Sequence, residues 1–373
     1  MAERSFAEEV KKLRLGDGEV FAGEGILAVT KALLQSGVAY VGGYQGSPVS
    51  HLMDVLADAS EILDELGVHF ESSASEATAA AMFGASVHYP LRGAITFKST
   101  VGTNVASDAL SNLASGGVTG GCLVILGEDY GEGSSIIQER SHAFAMKSQM
   151  WLLDPRPSHG ALVDAVQKGF ELSEASRTPV MLTMRVRTCH AHGHFIAQDN
   201  VRPSFTLKDA IENPRRGVDR MALAPATFAH EHEKVHERWP AATRFIREQG
   251  LNEVFESLDA VGCGVGLMVQ GGLYNTLIRA LELMGLTVHR HIGGTGLVAS
   301  LTLGDGPEVV GLRADMDALA MTEVAEGRAH ISQHAGTMHG CGHDCHMAML
   351  LGAAQLLTHS RDFNGTVRFI FQP

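Results

Sequence analysis

Between residues 22 and 190 the chain switches repeatedly between a helical and a strand period of hydrophobicity, and this limits the folds open to it. "EGILAVTKALLQSG" reads as a helix closed by Gly37, and "VAYVGGY" as a strand. "VSHLMDVLADASEILDELG" reads as a second helix closed by Gly67, and "VHFE" as a strand. A helix over 75–88, the strand "GAITFK", a helix over 103–114, the strand "CLVILGE", a polar loop, a helix over 158–175 and the strand "PVMLTMRV" continue the pattern. Strands joined through helices pair in parallel and need cover on both faces. The expected class is therefore α/β, a doubly wound, mostly parallel sheet. Ligands on such a sheet sit outside the carboxyl ends of its strands. Three segments fall there, "YQGSPVS" (44–50), "KSTVGTN" (98–104) and "EDYGEGSS" (128–135), read as Gly- and Ser-rich loops whose amides can approach a ligand closely.

With 373 residues, 45% of them hydrophobic, the chain has material for more than one core. Its formal charge of -13 argues against nucleic acid or an anionic membrane as the main partner. Five cysteines (122, 189, 263, 341 and 345), an odd number with no signal-peptide pattern, fit a reducing, cytoplasmic compartment. No apolar run approaches the length of a membrane span.

"GGYQGSPVSHLMDVL", "SEATAAAMFGAS", "GAITFKSTVGTNVASDALSNLA" and "SSIIQERSHAFAMKSQMWLLDPRPS" together resemble the pyrimidine-binding domain of the indolepyruvate ferredoxin oxidoreductases, α-subunit type. These are thiamine-diphosphate enzymes of the 2-oxoacid:acceptor oxidoreductase family, and the likeness runs almost continuously over residues 20–200. The family usually reads Tyr-Pro-Gly-Thr-Pro where this chain has Tyr44, Gln45, Gly46, Ser47 and Pro48; Ser47 keeps the hydroxyl that would meet a substrate carboxylate. The resemblance implies thiamine diphosphate as cofactor, a 2-oxoacid as substrate, and Tyr44, Gly46, Ser47, Pro48, Gly102 and Asn104 around them. A thiamine enzyme places a carboxylate against the aminopyrimidine ring, favouring the imino tautomer that accepts the thiazolium proton. Glu76, opening an Ala-rich helix behind Ser75, suits that role. Taken alone, Glu76 reads more readily as a first-turn acid complementing the helix dipole, and the surrounding resemblance reverses that preference.

The other half of a thiamine site is expected to be missing. "GDG" occurs at 16–18 and 304–306, but no asparagine follows at the spacing that holds magnesium and diphosphate, and no C-x-x-C-x-x-C run of a ferredoxin-like cluster is present. A partner subunit would then supply these parts. Residues 201–258 turn polar and proline-broken and read as a linker; 259–285, "VGCGVG" with a following helix, resembles the start of the family's next domain. "HEKVH" (232–236) fits the zinc-protease pattern but reads as a charged, solvated helix, and "CHAHGH" (189–194) as a loop leaving the sheet.

From residue 286 the text changes. "GLRADMDAL", "GTMHGCGHDCHMAMLLGAAQLL" and "GTVRFIFQP" are similar to the amidohydrolase branch of the M20 metallopeptidases, the hippurate and indoleacetyl-amino-acid hydrolases. By that resemblance residues 286–373 are a truncated metallohydrolase domain, a partial α/β fragment. Cys341 and His343 are implied as ligands of zinc or manganese, with Asp315 and Asp317 orienting ligands from behind, and an N-acyl amino acid as substrate. The general base and remaining ligands follow "FQP" in the family, so no amidase turnover is expected of this chain. Three readings stand side by side: a fusion or fragment inactive by itself, an oxidoreductase component completed by a partner, and an M20-type hydrolase. Open sheet edges in the last segment also predict self-association.

Overall fold

The computed structural model describes residues 5–129, 140–215, 217–220, 222–252, 286–292, 296–315 and 343–372, with residues 279 and 283. The chain divides into two compact units, Met1–Gln249 and Gly250–Pro373.

The first unit is built on a six-stranded sheet, all parallel. Its strands are β2 (Tyr40–Gly43), β3 (His69–Ser72), β4 (Gly93–Lys98), β5 (Cys122–Glu128), β6 (Trp151–Leu153) and β7 (Val180–Arg185), in the order β3-β2-β4-β5-β7-β6. All seven residues of β5 are buried, as continuous apolar strands covered on both faces must be. Phe83, Phe97, Leu110, Val124, Leu126 and Met181 pack into one core around Tyr40. The Tyr40 hydroxyl lies 2.6 Å from that of Ser86, which donates to Leu91 O at 2.7 Å, so neither buried hydroxyl is left unpaired. β1 (Val20–Glu24) and β8 (His192–Ile196) form a separate antiparallel ribbon.

Several expected elements differ in detail. The helix expected after β2 is two helices, Ser50–Asp58 and Ser60–Leu66, parting where the Asp58 carboxylate accepts from the Phe6 N–H at 2.6 Å. The helix expected over 75–88 is likewise two, Glu76–Ala81 and Gly84–His88, joined where Phe83 enters the core next to a poor helix former. β4 runs into helix Ser99–Val105 without an intervening loop, so Gly102 and Asn104 are helical residues rather than loop residues. Buried Thr103 donates to Ser99 O at 2.5 Å, and the N-terminal turn of that helix sits on the sheet.

The expected linker is helical. Helices Leu207–Glu212, Ala226–Glu233 and Trp239–Glu248, with a π turn Lys234–Arg238, belong to the first unit as far as Gln249. Arg238 is 1% exposed and donates to Ala114 O (2.6 Å), Ser115 O (2.9 Å) and Thr178 Oγ1 (2.8 Å). It thereby satisfies carbonyls left open at the end of helix Ser107–Gly116, which is why a polar segment packs here instead of remaining in solvent.

The second unit carries β9 (Thr287–Ile292), β10 (Gly296–Leu303), β11 (Val309–Asp315) and β12 (Gly365–Gln372) in the order β11-β12-β10-β9. β11 and β12 are parallel, the other pairs antiparallel. Helix His343–Ser360 packs on this sheet through Leu350 and Ala354 against Leu297, Ala299, Phe369 and Phe371.

Candidate functional site

β2 and β3 are consecutive neighbours, while β4 lies on the opposite side of β2, so the winding reverses between β2 and β4. In an open parallel sheet the ligand crevice opens at that reversal, beyond the carboxyl ends. The segments that leave β2 and β4 there are Tyr44–Pro48 and helix Ser99–Val105.

The first of these lies against the end of β4. Tyr44 N donates to Thr96 O at 3.0 Å. A Cβ on Gly43, whose φ is +159°, would stand 2.2 Å from Thr96 O, and one on Gly46 would stand 2.6 Å from Lys98 Cβ. Glycine is required at both positions for the loop to lie this close to β4. Pro48 is buried against Gly127 of β5, whereas Tyr44 is 40% exposed and Ser47 is exposed. The Ser47 hydroxyl is engaged by no side chain or backbone group among the described residues. Gly102 is held against the Phe97 ring, where a Cβ would come within 2.2 Å, and Asn104 donates from Nδ2 to Thr100 O at 2.9 Å.

Glu76 opens its helix as expected. Ser75 caps it, accepting from Thr78 N at 3.3 Å, and Thr78 Oγ1 accepts from Ser75 N at 2.9 Å, so the first turn is fixed. The Glu76 side chain is 6% exposed, and among the described residues its carboxylate has no hydrogen-bond or ion-pair partner. Neither oxygen is among the enclosed, unpaired side-chain atoms, so the carboxylate keeps access to solvent and is open to a ligand. Its helix packs against β2, β4 and helix Ser99–Val105, the elements that border the crevice. A carboxylate in this position can accept a hydrogen bond from a protonated ring nitrogen of a small planar ligand.

Two groups escaped the sequence reading. The Lys98 ammonium at the end of β4 meets Asp129 Oδ2 at 2.6 Å, with Asp129 only 2% exposed. Glu128, 1% exposed, accepts the Ser141 N–H at 2.9 Å. The available signal was a lysine ending one buried strand and an acidic pair ending the next. Beyond Asp129, the expected loop 128–135 lies outside the described residues.

The histidine groups are accounted for by local partners. Glu233 of "HEKVH" pairs with Arg177 at 2.7 Å and Arg220 at 3.5 Å, while the exposed rings of His232 and His236 lie 4.3 Å apart across the π turn. His190 and His192 each stand 3.6 Å from the Glu24 carboxylate; "CHAHGH" is a short helix end, Val186–His190, leading into β8 rather than a loop. Among the described residues no group of three or more His, Cys, Asp or Glu is arranged to hold a metal ion. Cys341 and Asp317 lie outside the described residues; Asp315 closes β11 and His343 opens the last helix. Among the described residues no helix is long and apolar enough to cross a membrane.

The sheet defines a doubly wound α/β protein whose winding reverses between β2 and β4. The chain is similar to indolepyruvate oxidoreductase subunit IorA of Methanothermobacter thermautotrophicus, 30% identical over 280 residues, 75% of this chain and 43% of that protein. IorA of Methanothermobacter marburgensis is 28% identical over 261 residues, 70% of this chain and 40% of its own length. Residues 311–373 match the model of peptidase family M20/M25/M40. IAA-amino acid hydrolase ILR1-like 4 of Arabidopsis thaliana is 50% identical over 99 residues, 26% of this chain and 22% of that protein. Both resemblances read from the sequence are thus present in one chain, which spans under half the length of these IorA relatives and under a quarter of the hydrolase.

Proposed function

We propose that residues 20–200 form the pyrimidine-side half of a thiamine-diphosphate site in a 2-oxoacid oxidoreductase of indolepyruvate type. The observation that carries this is the Glu76 carboxylate, without a protein partner among the described residues, on a residue only 6% exposed and a helix packed against β2, β4 and helix Ser99–Val105. Glu76 would hold a proton at the ring nitrogen of the aminopyrimidine, and the Ser47 hydroxyl would donate to the substrate carboxylate. Tyr44, Gly46, Pro48, Gly102 and Asn104 would border the cofactor and screen it from water. Bound there, thiamine diphosphate supplies a nucleophilic carbon for decarboxylating a 2-oxoacid. The diphosphate-binding half and the iron–sulfur clusters would come from a partner subunit. Residues 259–285 would begin the family's next domain, and the change to the second resemblance would fall at 285/286.

Because the diphosphate and Mg²⁺ would be held by the partner, titration calorimetry of the full chain with thiamine, which carries the aminopyrimidine without the diphosphate, tests this. Loss of one charge-assisted hydrogen bond in Glu76→Gln should weaken binding by about tenfold or more. Equal binding by both proteins, or none by either, would overturn the assignment.

A second reading is favoured by the family match over residues 311–373. Cys341 and His343, supported by Asp315 and Asp317, would contribute to a zinc or manganese site of an M20-type amidohydrolase acting on N-acyl amino acids. Thiolate and imidazole donors suit such ions. Metal analysis of the chain purified from Zn- and Mn-supplemented cells should find an ion that Cys341→Ala loses; a metal-free wild-type chain sinks this reading.

A further inference from the structure

In the loop after β2 this chain carries Gln45 where the resembling family has proline. A proline fixes its own φ and restricts the residue before it, so it holds such a loop without any partner. An exposed glutamine does neither. The structure supplies a substitute. Gln45 Nε2 donates to Asp54 Oδ1 at 3.1 Å, reaching from the loop to the second turn of helix Ser50–Asp58. The other oxygen of the same carboxylate lies 2.9 Å from His51 Nδ1, so one face of Asp54 serves the helix and the other the loop.

The His51 ring is itself fixed. It lies 5.6 Å from the Phe6 ring and 5.8 Å, edge to face, from that of His190. His190 faces Glu24 Oε2 at 3.6 Å, and His192 faces Glu24 Oε1 at 3.6 Å. The anchor of the loop thus rests on β1, helix Val186–His190 and β8 as well as on helix Ser50–Asp58.

We propose that Asp54, oriented by His51, is a positioning residue that replaces the proline ring: through Gln45 it fixes the Tyr44–Pro48 loop and so sets where Ser47 presents its hydroxyl. The consequence for a 2-oxoacid rests on the oxidoreductase reading above; the tether itself does not.

Amide hydrogen exchange at Gly46 and Ser47 in the full chain, without cofactor, reads the tether directly. Gln45→Ala and Asp54→Ala should each raise exchange by about fivefold, the worth of one modest hydrogen bond. The double variant should rise no further, because both substitutions break one linkage. Gln45→Pro should restore slow exchange and make the loop insensitive to Asp54→Ala. Additive single effects, unchanged exchange, or an equal response to Asp54→Ala in the Gln45→Pro background would overturn the proposal, leaving Asp54 a helix-stabilising residue only. If the exchange results hold while Glu76→Gln leaves thiamine binding untouched, the tether stands and the oxidoreductase reading falls.

Discussion

Lys31 is wholly buried on helix Gly25–Gln35 and donates to Leu13 O, Leu15 O at 2.5 Å and Asn200 Oδ1 at 2.6 Å. It ties the N-terminal segment and the strand exit near residue 200 to one helix. Burial disfavours the ammonium form and lowers its pKa from 10.5 to about 8. Between those values the unfolded chain binds more protons than the folded one, so the group makes stability rise with pH across that window. Below it the full penalty applies, up to about 3 kcal/mol. Urea denaturation at pH 7, 8.5 and 10 should show this slope in the wild type and not in Lys31→Met; parallel curves would contradict it. Lys31 gave no sign in the sequence, since one lysine in an apolar helix resembles any edge residue until its three acceptors converge. Glu76 was legible, because its place behind a capping serine is local. Its lack of a partner was not, because that depends on every neighbour at once.

At the scale of elements, β4 and β5 occupy the residues expected of them, 93–98 and 122–128. Both are apolar runs bounded by glycine or charge, and burial on two faces leaves such runs no alternative register. The helices following them were less legible. The break at Ala59 and the early start at Ser99 answer to contacts with distant residues, Phe6 and the sheet, that no local period records. The polar segment after residue 200 was misread for the same reason: its decisive feature is one arginine reaching another helix's end. Arg238→Met should leave the carbonyls of Ala114 and Ser115 open inside the protein and cost about 2–4 kcal/mol. Chemical denaturation measures this, and a change under about 0.5 kcal/mol, typical of an exposed site, would show the capping to be incidental.

For the whole molecule, the two cores share no residue: Val124, Phe97 and Met181 belong to one, Phe369, Leu297 and Leu350 to the other. The smaller unit has fewer residues over which to bury apolar area. Calorimetry should therefore resolve two transitions, the lower belonging to residues 250–373. Limited proteolysis should remove that unit first, and prior loss of residues 1–200 would contradict the assignment. What the sequence by itself determined was the class of the sheet, the identity of its buried strands and the presence of two unrelated motifs, because hydrophobic period and short-range spacing are properties of neighbouring residues. Tertiary structure alone decided that Tyr44–Pro48 lies against the end of β4 at the winding reversal, that Glu76 stands on a helix packed there without a protein partner among the described residues, and that Asp54 holds Gln45. Those facts are distances between residues far apart along the chain, fixed only when strand order and burial are settled together.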